Sequence, residues 1–136
     1  MRPSLKVISC VAGFAVLNVL AGPAIAAGAK PVNLKAGESV DIDNVYWVAK
    51  CKSLLRGKPV ADILEGPSDV TVSIRDEKVT PRSGGCSQPI DGGVLVLKAP
   101  KEVKAKTEAK VTIRIKYPTS DGERQGSRIV NLTLFP

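Results

Sequence analysis

Val111-Thr112-Ile113-Arg114-Ile115-Lys116-Tyr117-Pro118-Thr119-Ser120-Asp121-Gly122 carries the strongest pattern in this 136-residue chain. Val111, Ile113, Ile115 and Tyr117 alternate with Thr112, Arg114 and Lys116. Successive side chains of a strand point to opposite faces, so this run sets four apolar groups against three polar ones. Pro118 to Gly122 is turn chemistry. A second alternation follows from about Arg128 to Phe135, with Val130, Leu132 and Leu134 on one face and Ile129, Asn131, Thr133 and Phe135 on the other. Two such runs predict an antiparallel hairpin, with Ser120 to Gly126 at its tip.

Upstream, the same grammar repeats. Val70, Val72 and Ile74 alternate with Thr71, Ser73 and Arg75. Val60 to Leu64 is a strand stopped by Gly66-Pro67. Val94 to Leu97 is a short apolar run that follows the turn signal Asp91-Gly92-Gly93. Val32 to Leu34 opens an edge strand, and Ser39 to Ile42 a second one that continues through Val45 to Val48. Asp76-Glu77-Lys78 reads as exposed, and Val79 to Pro81 as a weak extended piece. Residues 98–110 fit either a short helix beginning at Pro100 or a loop crossing between sheets. The sum is about seven short strands and no long amphipathic helix, which predicts an all-β sandwich or barrel. Tyr46 and Trp47 are adjacent, so in a strand one reaches the core and the other a rim or binding surface.

The amino terminus reads as a targeting segment. Arg2 and Lys6 precede an uncharged apolar run, Val7 to Leu20, and Ala24-Ile25-Ala26 supplies the small residues at a cleavage site. Cleavage is expected after Ala26. The apolar run is shorter than the roughly 20 residues of a membrane span, so no transmembrane span is expected in the mature chain. Cys10 sits ahead of most of the apolar run, the wrong side for a lipidated cysteine, and leaves with the signal. Residues 27–136 then form a single domain that is exported, periplasmic or secreted. They carry 18 basic and 13 acidic side chains, net +5. In an oxidising compartment the remaining pair, Cys51 and Cys86, reads as one disulfide. Closing a loop of this length contributes about 3.8 kcal/mol in the chain-entropy model.

Cys51, Gly57-Lys58-Pro59-Val60, Gly66-Pro67, Cys86, Gly92-Gly93 and Tyr117 to Gly122 together resemble small exported bacterial immunoglobulin-like domains of uncharacterised function. The resemblance implies an antiparallel immunoglobulin-like sandwich and transfers no active site. Trp47 precedes the first cysteine and Tyr117 lies far beyond the second, unlike antibody-type domains.

The chain has no histidine, which removes Ser-His-Asp and Cys-His catalysis. A disulfide-bonded cysteine is not a nucleophile, and two thiols without histidine make a poor zinc site. Asp41-Ile42-Asp43-Asn44 resembles part of a calcium loop, to which Asp91 and Asp121 could add oxygens, but the glycine and terminal glutamate of that pattern are missing. No catalytic residue, metal or cofactor is assigned. Asn131-Leu132-Thr133 matches a glycosylation sequon by chance. Lys98, Lys101, Lys104, Lys106 and Lys110 form a candidate anion-binding group, and Lys50 and Lys52, with Arg56 and Lys58, a second one near Cys51. Lysines on exposed edges also guard sheets against aggregation. The expected function is a non-catalytic domain that binds a protein partner or a cell-envelope component. The alternative is an electrostatic binder of acidic polysaccharide or lipid through the lysine groups. No nucleic-acid partner is expected.

Overall fold

The computed structural model describes residues 29–82 and 84–136, and all of the regular structure in them is β. The expected signal segment, its expected cleavage site and Cys10 lie outside the described residues. Nine strands follow in chain order: β1 Lys30–Lys35, β2 Ser39–Val45, β3 Val48–Ala49, β4 Lys52–Ser53, β5 Val60–Glu65, β6 Thr71–Val79, β7 Ile90–Lys98, β8 Thr107–Thr119 and β9 Gly122–Phe135. The two beyond the expected seven are β3 and β4, which make a separate two-stranded ribbon.

The remaining strands form a four-stranded sheet in the order β1-β9-β8-β5 and a three-stranded sheet in the order β2-β7-β6. Every pairing is antiparallel except β1 with β9, which run parallel from Lys30 opposite Val130 to Lys35 opposite Phe135. One hydrophobic cluster draws on both sheets. Val45, Leu95 and Leu97 come from the smaller sheet, and Val111, Ile113, Ile115, Val130 and Leu132 from the larger, all essentially inaccessible to solvent. Among the described residues no charged, amide or aliphatic hydroxyl side chain is buried, and Tyr117 brings the one phenol into the core. The core is therefore almost pure Val, Ile and Leu, residue types that suit a pleated surface buried on one side.

The β8–β9 hairpin forms as expected, with Val111 opposite Val130 and Ile113 opposite Arg128. Its tip is tighter than Ser120 to Gly126. Thr119 pairs with Gly122, so only Ser120 and Asp121 turn the chain. Gly122 takes φ 99°, a left-handed conformation that costs glycine little. Glu123, Arg124 and Gln125 lack the alternation, yet stay in the ladder opposite Pro118, Tyr117 and Lys116.

Asp91-Gly92-Gly93 is not a turn. It lies inside β7, with Gly92 opposite Glu77 and Gly93 between Val45 and Asp76. A Cβ on Gly92 would collide with the Val45 carbonyl oxygen, and one on Gly93 with the Ile74 side chain and Arg75 carbonyl. The glycines serve close approach of three strands. Asp76-Glu77-Lys78 is exposed as expected, and it is strand, held in the ladder opposite Gly93, Gly92 and Asp91. Residues 99–106 form no helix and cross from the three-stranded to the four-stranded sheet. Backbone bonds from Ala99 to Glu38 and from Gly37 to Pro100 fasten the crossing.

β2 stops at Val45 instead of continuing to Val48. A bulge at Ile42, where Asp41 pairs with Val96 and Asp43 already with Leu95, shifts the strand's phase. Ile42 and Val45, three residues apart, are consequently both buried. Trp47 then packs against the core cluster from outside the strand. No helix among the described residues is long and apolar enough to cross a membrane.

Candidate binding site

One end of the molecule gathers side chains that the sequence spreads over almost a hundred positions. Leaving β2, the chain presents Asp43, Asn44, Tyr46 and Trp47. The β8–β9 hairpin brings Tyr117, Gly126 and Arg128, and the loop after β6 brings Arg82. These eight residues line a cleft of about 270 Å³. A second cleft of about 510 Å³ shares Asp43, Arg82 and Arg128 with it and adds Lys30 and Ile42 among its walls. The two form one composite surface, aromatic on one side and cationic on the other.

Its framework is held by several contacts. Arg128 Nε donates to Asp43 Oδ2 at 2.8 Å, bridging β9 to β2 across the sheets. The Trp47 and Tyr117 rings lie 5.1 Å apart and tilted by 48°, within the range of favourable aromatic pairs. Gly126 leaves room beside them, since a Cβ there would stand 3.3 Å from the Tyr117 ring. Lys30 Nζ donates to the Ile42 carbonyl, and the Arg82 backbone N–H donates to the Tyr46 hydroxyl at 3.3 Å.

Charge in the clefts is unbalanced. Lys30, Arg82 and Arg128 face a single carboxylate, Asp43, so the walls carry a net +2. Partial burial works against the Arg128 charge, but the hydrogen bond to Asp43 and the pull of the Tyr117 oxygen outweigh it and hold its pKa above the ordinary guanidinium value. Burial pushes the Tyr117 phenol up, against the opposing influence of Arg128. Arg82 has no ion-pair partner among the described residues.

A covalent tie lies beside the cleft. Cys51 and Cys86 are joined, with Cα atoms 5.4 Å apart. Cys51 sits in the two-residue turn of the β3–β4 ribbon that follows Trp47, and Cys86 in the loop that carries Arg82. Lys50 and Cys51 take φ of 50° and 59°, as a primed hairpin turn requires. Neither residue is glycine or asparagine, so the turn is strained. The bond joins two loops at one end of the fold.

The sequence-derived lysine groups do not share a face. Lys50 and Lys52 belong to the ribbon, where Ser53 Oγ donates to the Asp91 carbonyl near the start of β7. Lys98 lies at the other end of β7, and Lys101, Lys104 and Lys106 follow it in the crossing loop. Lys110, on β8, is exposed. Lys106 stands 5.7 Å from the centre of the Phe135 ring and 4.0 Å from Glu108. The acidic residues of the calcium-loop fragment are engaged elsewhere, Asp41 with Arg75 through two hydrogen bonds and Asp43 with Arg128.

Sequence reasoning singled out Tyr46-Trp47 but missed Lys30, Asp43, Arg82 and Arg128 as a group. No spacing announces them, because a bulge, a loop and a hairpin bring them together. No protein-family model, curated protein or solved structure matches the chain.

Proposed function

We propose that the protein is an exported, non-catalytic immunoglobulin-like domain that binds a protein partner or cell-envelope component through the composite cleft. The observation that carries this reading is the convergence of Tyr46, Trp47 and Tyr117 with Arg82 and Arg128 around one concave surface. Aromatic and arginine side chains combine large contact area with directed hydrogen bonding, and they dominate binding energetics. Strand order supports the fold half of the proposal. The β9-β8-β5 grouping, with β1 added at its edge, and the β2-β7-β6 grouping around one core are compatible with the two sheets of immunoglobulin-type sandwiches. The apolar amino-terminal run with its small-residue cleavage signal supports export, as does the disulfide. Non-catalytic character rests on the missing histidine and on Cys51 and Cys86 being tied in the cross-link, with Cys10 expected to leave with the signal.

Affinity capture from cell-envelope fractions tests the reading. The disulfide-bonded protein retains a specific component, and Arg82→Gln, an exposed substitution, loses it. Capture indifferent to Arg82→Gln contradicts the proposal. The alternative, electrostatic binding of acidic polysaccharide or lipid through lysines, is favoured by one observation: Lys98, Lys101, Lys104 and Lys110 have no ion-pair partner among the described residues. Under that alternative, neutralising Lys98, Lys101 and Lys104 abolishes capture and Arg82→Gln does not.

A further inference from the structure

The composition of the cleft narrows what occupies it. Its cationic wall contains two groups without a carboxylate partner among the described residues, Arg82 and Lys30. The third, Arg128, is already satisfied by Asp43. An incoming anion therefore meets uncompensated charge at Arg82 and Lys30, and Arg82 also lines the cleft that holds Tyr46 and Trp47. Next to that cationic wall, the half-buried Tyr46 and Trp47 line the smaller cleft, with the buried Tyr117 ring 5.1 Å from that of Trp47. An occupant that satisfies both halves carries an oxyanion directly on a compact ring with hydroxyl groups.

We infer that the cleft binds uronic-acid residues of an acidic polysaccharide, with the sugar carboxylate held by Arg82 and Lys30 and the ring against Tyr46 and Trp47. This rests on the binding-domain reading above and differs from lysine-mediated attraction in where the polymer lies. A guanidinium can take a carboxylate through two parallel hydrogen bonds, which a mobile lysine cannot. The disulfide and the Arg82 N–H bond to Tyr46 hold the cationic loop against the aromatic one.

Trp47 is the only tryptophan, so its fluorescence reports the site. Oligogalacturonate titrated into the disulfide-bonded protein is expected to change that emission saturably, while a neutral oligogalactose of equal length does not. Arg82→Gln weakens binding about tenfold, the usual consequence of losing one charge-assisted contact. Lys30→Gln weakens it too, and Arg82→Lys restores part of it. Lys98→Gln and Lys104→Gln leave it unchanged. Circular dichroism confirms that the variants are folded. No saturable change, equal response to the neutral sugar, displacement by millimolar inorganic phosphate, or loss through Lys98→Gln overturns the inference. If oligogalacturonate fails while envelope capture still depends on Arg82, only the identity of the occupant falls. If neither depends on Arg82, the binding-domain reading falls with it.

Discussion

Gly92 and Tyr117 show how single side chains set the architecture. Three strands approach so closely at Gly92 that one added methyl meets the Val45 carbonyl and the Val79 side chain. Gly92→Ala is expected to lower unfolding stability by about 1–3 kcal/mol, the usual cost of overpacking, read as an earlier urea midpoint. An unchanged midpoint would mean that the strands have room to part. Tyr117 predicts an alkaline effect. Burial raises its folded pKa above the usual phenol value. Its proton is thus retained in the folded state and lost in the unfolded one over that window. Stability is full below about pH 10 and declines as pH rises through the folded pKa. Ultraviolet titration of the phenolate should show one late-titrating tyrosine that vanishes in Tyr117→Phe. At acid pH the sign reverses. Hydrogen bonding to Arg75 lowers the Asp41 pKa, and hydrogen bonding to Arg114 lowers that of Asp62. Their contribution is present above about pH 4 and lost as pH falls through the lowered values. Asp41 is exposed and Asp62 only half-buried, so Asp41→Asn and Asp62→Asn should flatten the acid limb of a thermal-midpoint profile only slightly.

At the scale of elements, the β3–β4 ribbon is the least self-sufficient part of the fold. It has four strand residues and two positive-φ side chains at its turn. Its anchors are the disulfide, the Leu54 N–H bond to Trp47 and the Ser53 hydroxyl bond to Asp91. Replacing Lys50 with glycine relieves one left-handed side chain and should stabilise the protein by up to about 1 kcal/mol. Replacing both cysteines with serine should cost up to about 3.8 kcal/mol. Hydrogen exchange in that double variant is expected to rise first in residues 48–53 and 80–89, before the β8–β9 hairpin. Uniform acceleration would mean that the cross-link supports the whole fold instead of this end. The long hairpin was legible in the sequence because its alternation is uninterrupted from Val111 to Tyr117. The ribbon was not, because two residues per strand establish no period. The strand through Asp91-Gly92-Gly93 was hidden for the opposite reason. Its composition is that of a turn, and only the closeness of its neighbours explains the glycines.

For the whole molecule, the all-β class and the cysteine pairing follow from pattern and count, and the structure bears both out. The site followed from neither. Charge density along the chain pointed to the crossing loop with Lys98, Lys101 and Lys104, whereas the fold separates that loop from Lys50 and Lys52 by the length of β7. The cleft needs the Ile42 bulge, the turn at Lys50-Cys51 and the parallel β1–β9 pairing before Lys30, Asp43, Arg82 and Arg128 meet. None of these is visible in residue spacing. The central claim is that this end, not the crossing-loop end with Lys98, Lys101 and Lys104, is the ligand face. Amide chemical-shift mapping of the isotope-labelled, disulfide-bonded protein titrated with oligogalacturonate tests it directly. The account predicts perturbations clustered at residues 43–47, at Arg82 and at residues 126–128. Perturbations confined to residues 98–110, or none at all, would contradict it.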